Sequence, residues 1–315
     1  MRALTTSTLK GLWAAVPTPF QAGGKIDFGL LRENCARLAR AGVDGIYTTD
    51  SDGEFYAIEI DEFRQVAVAF ARAMQGLQVD AAMGVTWANT RGVIDRLRAA
   101  LEAGIPNAHV GLPFYMPLAA RDLPRYFEEL AEEVPEGRWI HYAHPSFRPA
   151  LTGSDLNALQ RAHPANLIGT KLAGHAGMEL AETLLGAPGL AHFAGDTNLL
   201  PACLLGARGS YSYWVNTMPV WTRKLASLCF AGDYAAAAPL QRKLLEWELT
   251  AIAPLRRRGY RHGILGKSRG RLTGFLRDDG STRAPYLPLT KEEQDTLDKA
   301  FLAFWREELA SEPTW

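Results

Sequence analysis

Eight short apolar runs recur along the chain with amphipathic stretches between them, and no other feature restricts the fold as strongly. The runs are 12-LWAAV-16, 43-VDGIYTT-49, 78-QVDAAMGV-85, 108-AHVGL-112, 138-RWIHYA-143, 167-LIGTKL-172, 191-AHFAG-195 and 209-GSYSYWV-215. They have strand length, and they are too continuously apolar for a sheet with one wet face. That fits parallel strands buried on both sides. The stretches between them, such as 28-FGLLRENCARLARAG-42, 59-EIDEFRQVAVAFARAM-74 and 90-TRGVIDRLRAALEAG-104, space their apolar residues as one helix face does. Thr90 is the expected N-cap of the third, and Gly104 its C-terminal stop. Eight such strand–helix units predict an α/β fold, a (β/α)8 TIM barrel. A doubly wound sheet is the alternative. It usually has fewer strands and a Gly-rich phosphate turn, and no GxGxxG follows any run here.

From Ala231 the pattern turns helical, through YAAAAPLQRKLLEWELTAIAPL and KEEQDTLDKAFLAFWREEL. The expected organisation is a barrel over 1–230 and a C-terminal helical region over 231–315 packed on it. A chain of 315 residues, 47% hydrophobic, can bury a core of that size. Its 34 acidic and 34 basic residues balance, leaving no electrostatic footprint for nucleic acid or an anionic membrane. No run reaches the length of a membrane span, and the start MRALTTSTLKGLW lacks a signal-peptide core. Cys35, Cys203 and Cys229 fit no zinc or CxxC spacing and read as reduced core thiols. Together these predict a cytoplasmic protein.

In a barrel, functional groups sit at the C-terminal ends of the strands. Lys171 lies within the apolar run LIGTKLAG. An ammonium there is costly unless paired or deprotonated, so Lys171 is either a strand-end cation reaching solvent or a desolvated amine of lowered pKa. The second kind attacks carbonyls to form a Schiff base. Tyr142 ends the preceding strand, where its phenol either packs in the core or moves protons near that amine. His141 and His144 flank it, but positions three apart on a strand face opposite ways, which argues against a metal site. The stretch 258-RGYRHGILGKSRGR-271 contains GKS, yet Arg261 stands where a P-loop needs glycine. A basic surface loop is expected there.

These residues, taken with others in order along the chain, resemble the dihydrodipicolinate synthase / N-acetylneuraminate lyase family of Schiff-base aldolases. The matching pieces are 16-VPTPF-20, 24-GKID-27, 42-GVDGIYTTDSDGEF-55, 88-ANTRGVI-94, 112-LPFYMP-117, 142-YAHP-145, 167-LIGTKLAG-174 and 193-FAGDTNLLPACLLGARGSYSYWVN-216. The resemblance implies a carbonyl substrate bound as an imine on Lys171, no metal or organic cofactor, and a homotetramer or homodimer. It makes Tyr142 the general acid/base and Ser51 the relaying hydroxyl. Tyr115 would complete the relay from a neighbouring subunit. Asp52, Gly53, Gly195, Tyr211 and Trp214 fall at substrate-binding positions.

Departures from the family pattern point away from its most familiar reaction. The family's GTTGE reads Asp50-Ser51-Asp52-Gly53-Glu54 here, placing a carboxylate where a threonine grips a keto-acid carboxylate. Phe147 replaces an arginine used for an amino-acid semialdehyde, with Arg148 one step on. Tyr211, Tyr213 and Trp214 suggest an aromatic wall and a bulky or aromatic substrate, as in the hydratase-aldolase branch. The expected function is a class I lyase or aldolase acting beside the ketone of a 2-oxo acid such as pyruvate or an analogue. The alternatives are an imine-dependent dehydratase or hydratase of a sugar acid, a non-catalytic ligand sensor, and a metal-dependent aldolase using the three carboxylates of the 50–54 turn.

Overall fold

A computed structural model describes residues 1–278 and 280–313. The eight runs form β1 (Gly11–Ala15), β2 (Gly45–Thr48), β3 (Asp80–Gly84), β4 (Asn107–Val110), β5 (Arg138–Ala143), β6 (Leu167–Leu172), β7 (Ala191–Gly195) and β8 (Gly209–Ser212). Every strand pairs in parallel with the next, and β8 pairs with β1 through Trp13 opposite Tyr211, closing the barrel. Between strands come α1 (Phe28–Arg40), α2 (Ile60–Met74), α3 (Thr90–Glu102), α4 (Leu123–Glu133), α5 (Gly153–Ala162), α6 (Gly177–Gly186) and α7 (Leu199–Leu204). The barrel's last helix is α8 (Pro219–Phe230). This is a (β/α)8 TIM barrel with additional C-terminal helices. Among the described residues no helix is long and apolar enough to cross a membrane.

The barrel interior is filled with large side chains. Trp13, Tyr47, Ile140, Ile168, Phe193 and Tyr211 form one cluster, joined by Leu4 and Leu9 of the N-terminal segment. Asn107, at the start of β4, accepts the Leu4 N–H at 2.9 Å, so that segment lies at the end of the barrel opposite the strand C-termini. A second, larger core fills the space between strands and helices.

Four local expectations need correction. The N-cap of α3 is Asn89, not Thr90: the Asn89 carboxamide oxygen accepts the Gly92 N–H at 2.8 Å, and Thr90 is already helical. Residues 213–215 leave the sheet, because Trp214–Asn216 form a single 3₁₀ turn after β8. The stretch around GKS is a buried helix, not a basic surface loop. After α9 (Tyr234–Trp247), a π-helical turn (Glu248–Ile252) and α10 (Ala253–Arg257) comes α11 (His262–Gly270), in which Lys267 and Arg269 are each 1% exposed. Cations can be buried there because carboxylates meet them. Lys267 Nζ lies 2.6 Å from Glu54, and Arg269 Nη1 lies 3.6 Å from Glu248. The C-terminal region is also not wholly helical. Residues 271–278 and 280–290 run without a helix before α12 (Lys291–Phe304) and α13 (Arg306–Leu309).

Candidate active site

Lys171 is the penultimate residue of β6 and pairs in register with Tyr142 on β5. Its side chain is 7% exposed, at the inner end of a cavity of about 250 Å³ at the C-terminal mouth of the barrel. Three rings surround the amine: Nζ lies 4.1 Å from the ring centroid of Tyr47, 4.3 Å from that of Tyr142 and 5.3 Å from that of Tyr211. Such faces favour a cation over them. A larger groove of about 700 Å³ lies outside the barrel between α9, α10 and α12, but no lysine lines it.

The amine is not alone among apolar groups. It donates to Asp50 Oδ2 at 2.6 Å, and the Asp50 side chain is 1% exposed. The same oxygen receives His109 Nδ1 at 2.6 Å, and His109 Nε2 lies 2.9 Å from the Tyr211 hydroxyl. Burial alone would push the Asp50 carboxyl up, but the Lys171 charge and then the His109 ring bonded to it hold it below its ordinary value. Burial lowers His109, only partly offset by Asp50, so the ring is neutral near pH 7. A carboxylate can only accept, which puts the imidazole proton on Nδ1 and leaves Nε2 to accept from Tyr211.

The local backbone explains how Asp50 reaches the amine. Thr49, the first residue after β2, takes φ +60°, a left-handed conformation unusual for a β-branched side chain. Its hydroxyl donates to Gly84 O at 2.8 Å, holding the turn against β3. Gly84 is required beside it, because a Cβ there would overlap Asp50 Oδ1 and Thr49 O. Glu54 is also left-handed at φ +52° and is fixed from below by Lys267. Two strained residues therefore bracket the segment that carries Asp50, Ser51 and Asp52, where strain is most often stored for function.

The three carboxylates of this turn diverge: Asp50 goes to Lys171 and His109, Glu54 to Lys267, and Asp52 to the cavity wall. Among the described residues no three His, Cys, Asp or Glu side chains are grouped to hold a metal. Asp52 caps no helix, since the N-cap of α2 is Glu59 and that of the intervening 3₁₀ turn is Glu54. Its Oδ1 is buried and has no hydrogen-bond partner. Tyr142 is 3% exposed, and its hydroxyl lies 3.0 Å from Ser51 Oγ. Burial and then Asp50 raise the phenol well above its ordinary value, with Ser51 opposing them.

The remaining expected site residues divide. Gly195 and Tyr211 line the cavity. Gly53 is buried beneath the turn: its carbonyl accepts from the Thr18 hydroxyl at 2.8 Å, and a Cβ would meet Thr49 N at 2.5 Å. Trp214 faces away from the cavity. It packs in an aromatic cluster with Trp305, Phe301 and Trp247, at centroid distances of 5.4, 6.3 and 6.4 Å, because the 3₁₀ turn rotates it off the β8 face. Tyr115 lies on the loop after β4 and is 82% exposed, outside the cavity of a single chain. Asp196, the residue after β7, is structural, since its Oδ2 accepts the N–H groups of Tyr213 (2.9 Å) and Trp214 (3.1 Å). Sequence reasoning weighed His144 only as a metal ligand, and it missed Tyr47, His109, Thr197, Arg256 and His262. Of these only His109 left a signal, a lone polar residue at an inward position of an apolar strand.

A barrel that presents a lysine amine at its mouth, flanked by a phenol from the neighbouring strand, defines a class: lyases that work through a Schiff base. The model of the dihydrodipicolinate synthetase family matches residues 8–303, and the chain belongs to that family. A 4-hydroxy-tetrahydrodipicolinate synthase from Symbiobacterium thermophilum is 30% identical over 92% of this chain and 96% of its own. Escherichia coli YagE, provisionally named a 2-dehydro-3-deoxy-D-gluconate aldolase, is 31% identical over 75% of this chain and 79% of its own. The crystal structure of YagE in complex with pyruvate shares the fold with a TM-score of 0.84 at 24% identity, covering 94% of this chain and 98% of that one. N-acetylneuraminate lyase from Proteus mirabilis gives 0.80 at 26% identity, over 94% and 98%. The protein is a class I lyase of the aldolase type.

Proposed function

We propose that the protein makes or cleaves a C–C bond beside the ketone of a 2-oxo acid, pyruvate or an analogue, held as an imine on Lys171, and that the second substrate portion is bulky or aromatic. The observation that carries this reading is the Lys171 amine at the inner end of the cavity, with the Tyr142 hydroxyl linked to Ser51 at 3.0 Å. The amine attacks the carbonyl carbon while Tyr142 delivers a proton to the carbonyl oxygen, regaining one through Ser51. Loss of water leaves an iminium that draws electrons from the adjacent C–C bond. Cleavage then releases the distal portion, and addition runs the same steps in reverse.

Tyr211 and Tyr213 support the aromatic reading, since both line the cavity. Phe147 also disfavours an amino-acid semialdehyde: it is buried against Tyr142 at a centroid distance of 5.4 Å and offers no charge. A second reading, an imine-dependent dehydratase or aldolase of a sugar acid, draws on the polar part of the same wall, Asp52, Thr197, Arg256 and His262. YagE's provisional name points the same way. In either case Tyr115 completes the relay from a neighbouring subunit of a homotetramer, which accounts for its exposure.

Borohydride trapping with aryl aldehydes, sugar acids and pyruvate, followed by peptide mapping, tests the proposal. Label on the peptide containing Lys171 is expected, with turnover separating the two substrate classes. Trapping at another lysine, or none with any carbonyl compound, would refute it.

A further inference from the structure

The family pattern has glycine where Asp50 stands, and nothing in the relay of Tyr142 and Ser51 calls for a carboxylate there. Yet Asp50 is buried and in direct contact with the reacting nitrogen, with Oδ2 2.6 Å from Lys171 Nζ. It is held there by His109, by the left-handed turn at Thr49, and by the space left at Gly84. A carboxylate desolvated beside a nitrogen that must become cationic changes the thermodynamics of every step at that atom.

We infer that Asp50 is the counterion of the Lys171 iminium, a catalytic residue that keeps the imine protonated inside the barrel. The inference rests on Lys171 carrying the imine. The bonds balance without another reagent. Asp50 takes one proton from the Lys171 ammonium, freeing the amine pair to form the C–N bond. The carbonyl oxygen leaves as water, carrying two of the three ammonium protons, one of them the proton Asp50 held. One N–H remains on the iminium, facing Asp50 as carboxylate again. An iminium withdraws electrons from the neighbouring bond, whereas a neutral imine does so poorly, so the ion pair sustains the electron sink.

The groups facing this pair are few. Tyr47 on β2, His109 on β4, Tyr142 on β5 and Tyr211 on β8 surround it, and none carries charge near pH 7. Asp52 stands beside it on the same turn, with His144, His262 and the Arg256 guanidinium across the cavity. Burial holds His144 and His262 low, His144 to about 4, so both are neutral there and Asp50 is the anion in contact with Nζ.

The test is the pH profile of cyanoborohydride trapping, which reduces only the protonated imine, in the parent and in Asp50→Asn. Pyruvate is the probe, with acetone as a ketone free of carboxylate. Removing the anion destabilises the cation, so the alkaline limb of trapping should move down by about two pH units. A limb that stays in place, even with less label overall, would reduce Asp50 to a structural role and overturn the inference while leaving the imine intact. If Asp50→Asn does not fold, the carbon resonance of the 2-¹³C-labelled adduct in the parent decides. It should remain that of a protonated iminium to about pH 9, and earlier deprotonation refutes the counterion. No trapping in the parent with either probe would remove the imine reading itself, and this inference with it.

Discussion

Lys267→Met probes the support beneath the site. The Lys267 ammonium and the Glu54 carboxylate are 2.6 Å apart, and neither side chain is exposed. The ammonium also donates to Ser281 O at 2.7 Å and lies 4.4 Å from the Phe20 ring centroid. Methionine keeps most of the volume and removes the charge, leaving Glu54 buried and largely uncompensated at a cost of about 3–5 kcal/mol. Burial already raises the Glu54 carboxyl, and Lys267 is the main force pulling it down. Without Lys267 the folded-state value rises further, and the folded protein binds a proton that the unfolded chain holds only below its ordinary value. The variant's deficit should therefore grow as pH increases from about 4.5 towards neutrality and shrink on acidification. Urea denaturation at pH 5 and pH 7 measures this, and Glu54→Gln combined with Lys267→Met should recover most of the loss. A single variant costing under about 1 kcal/mol at pH 7, or a double variant no better than the single one, would refute the reasoning. Because Glu54 closes the turn that carries Asp50 and Ser51, the single variant should lose activity at temperatures where it is still folded.

Lys171→Ala and Lys171→Arg should still fold but lose turnover and trapping, because neither side chain forms an imine; the alanine variant should also melt lower, because it leaves Asp50 buried without its cation. Full activity in a folded Lys171→Ala protein would end the Schiff-base assignment of this residue. Tyr142→Phe should lower kcat by roughly 10²–10⁴ with little change in KM. A change confined to KM would make the phenol a positioning group. Asp52→Thr removes a carboxylate from the cavity wall; a like charge about 4 Å from a keto-acid carboxylate costs roughly 4 kcal/mol at an effective dielectric near 20. Pyruvate trapping should therefore rise in the variant and use of the natural substrate fall. Efficient pyruvate trapping by the parent would sink the repulsion.

The parts of the molecule legible in the sequence are those whose cause is local. Each strand of a closed parallel barrel is buried on both faces, so its apolar run and the helix after it mark a whole unit. Lys171 and Tyr142 stood out because a polar atom in such a run needs a reason. The misread features share a different cause, in that their determinants are distant along the chain. Lys267 and Arg269 look like surface charges until the fold brings Glu54 and Glu248 against them. Trp214 looks like a strand residue facing the ligand until a 3₁₀ turn carries it into the aromatic cluster with Trp305. Asp50 is the sharpest case. In sequence it is one of three acidic residues in a turn, indistinguishable from a solvated or metal-binding set. Its contact with Lys171 depends on a strained threonine, a glycine on β3, a histidine on β4 and the closure of the barrel. Of these, only the threonine belongs to the turn itself. The residue that most separates this site from the family pattern is therefore also the one whose role the sequence could least disclose.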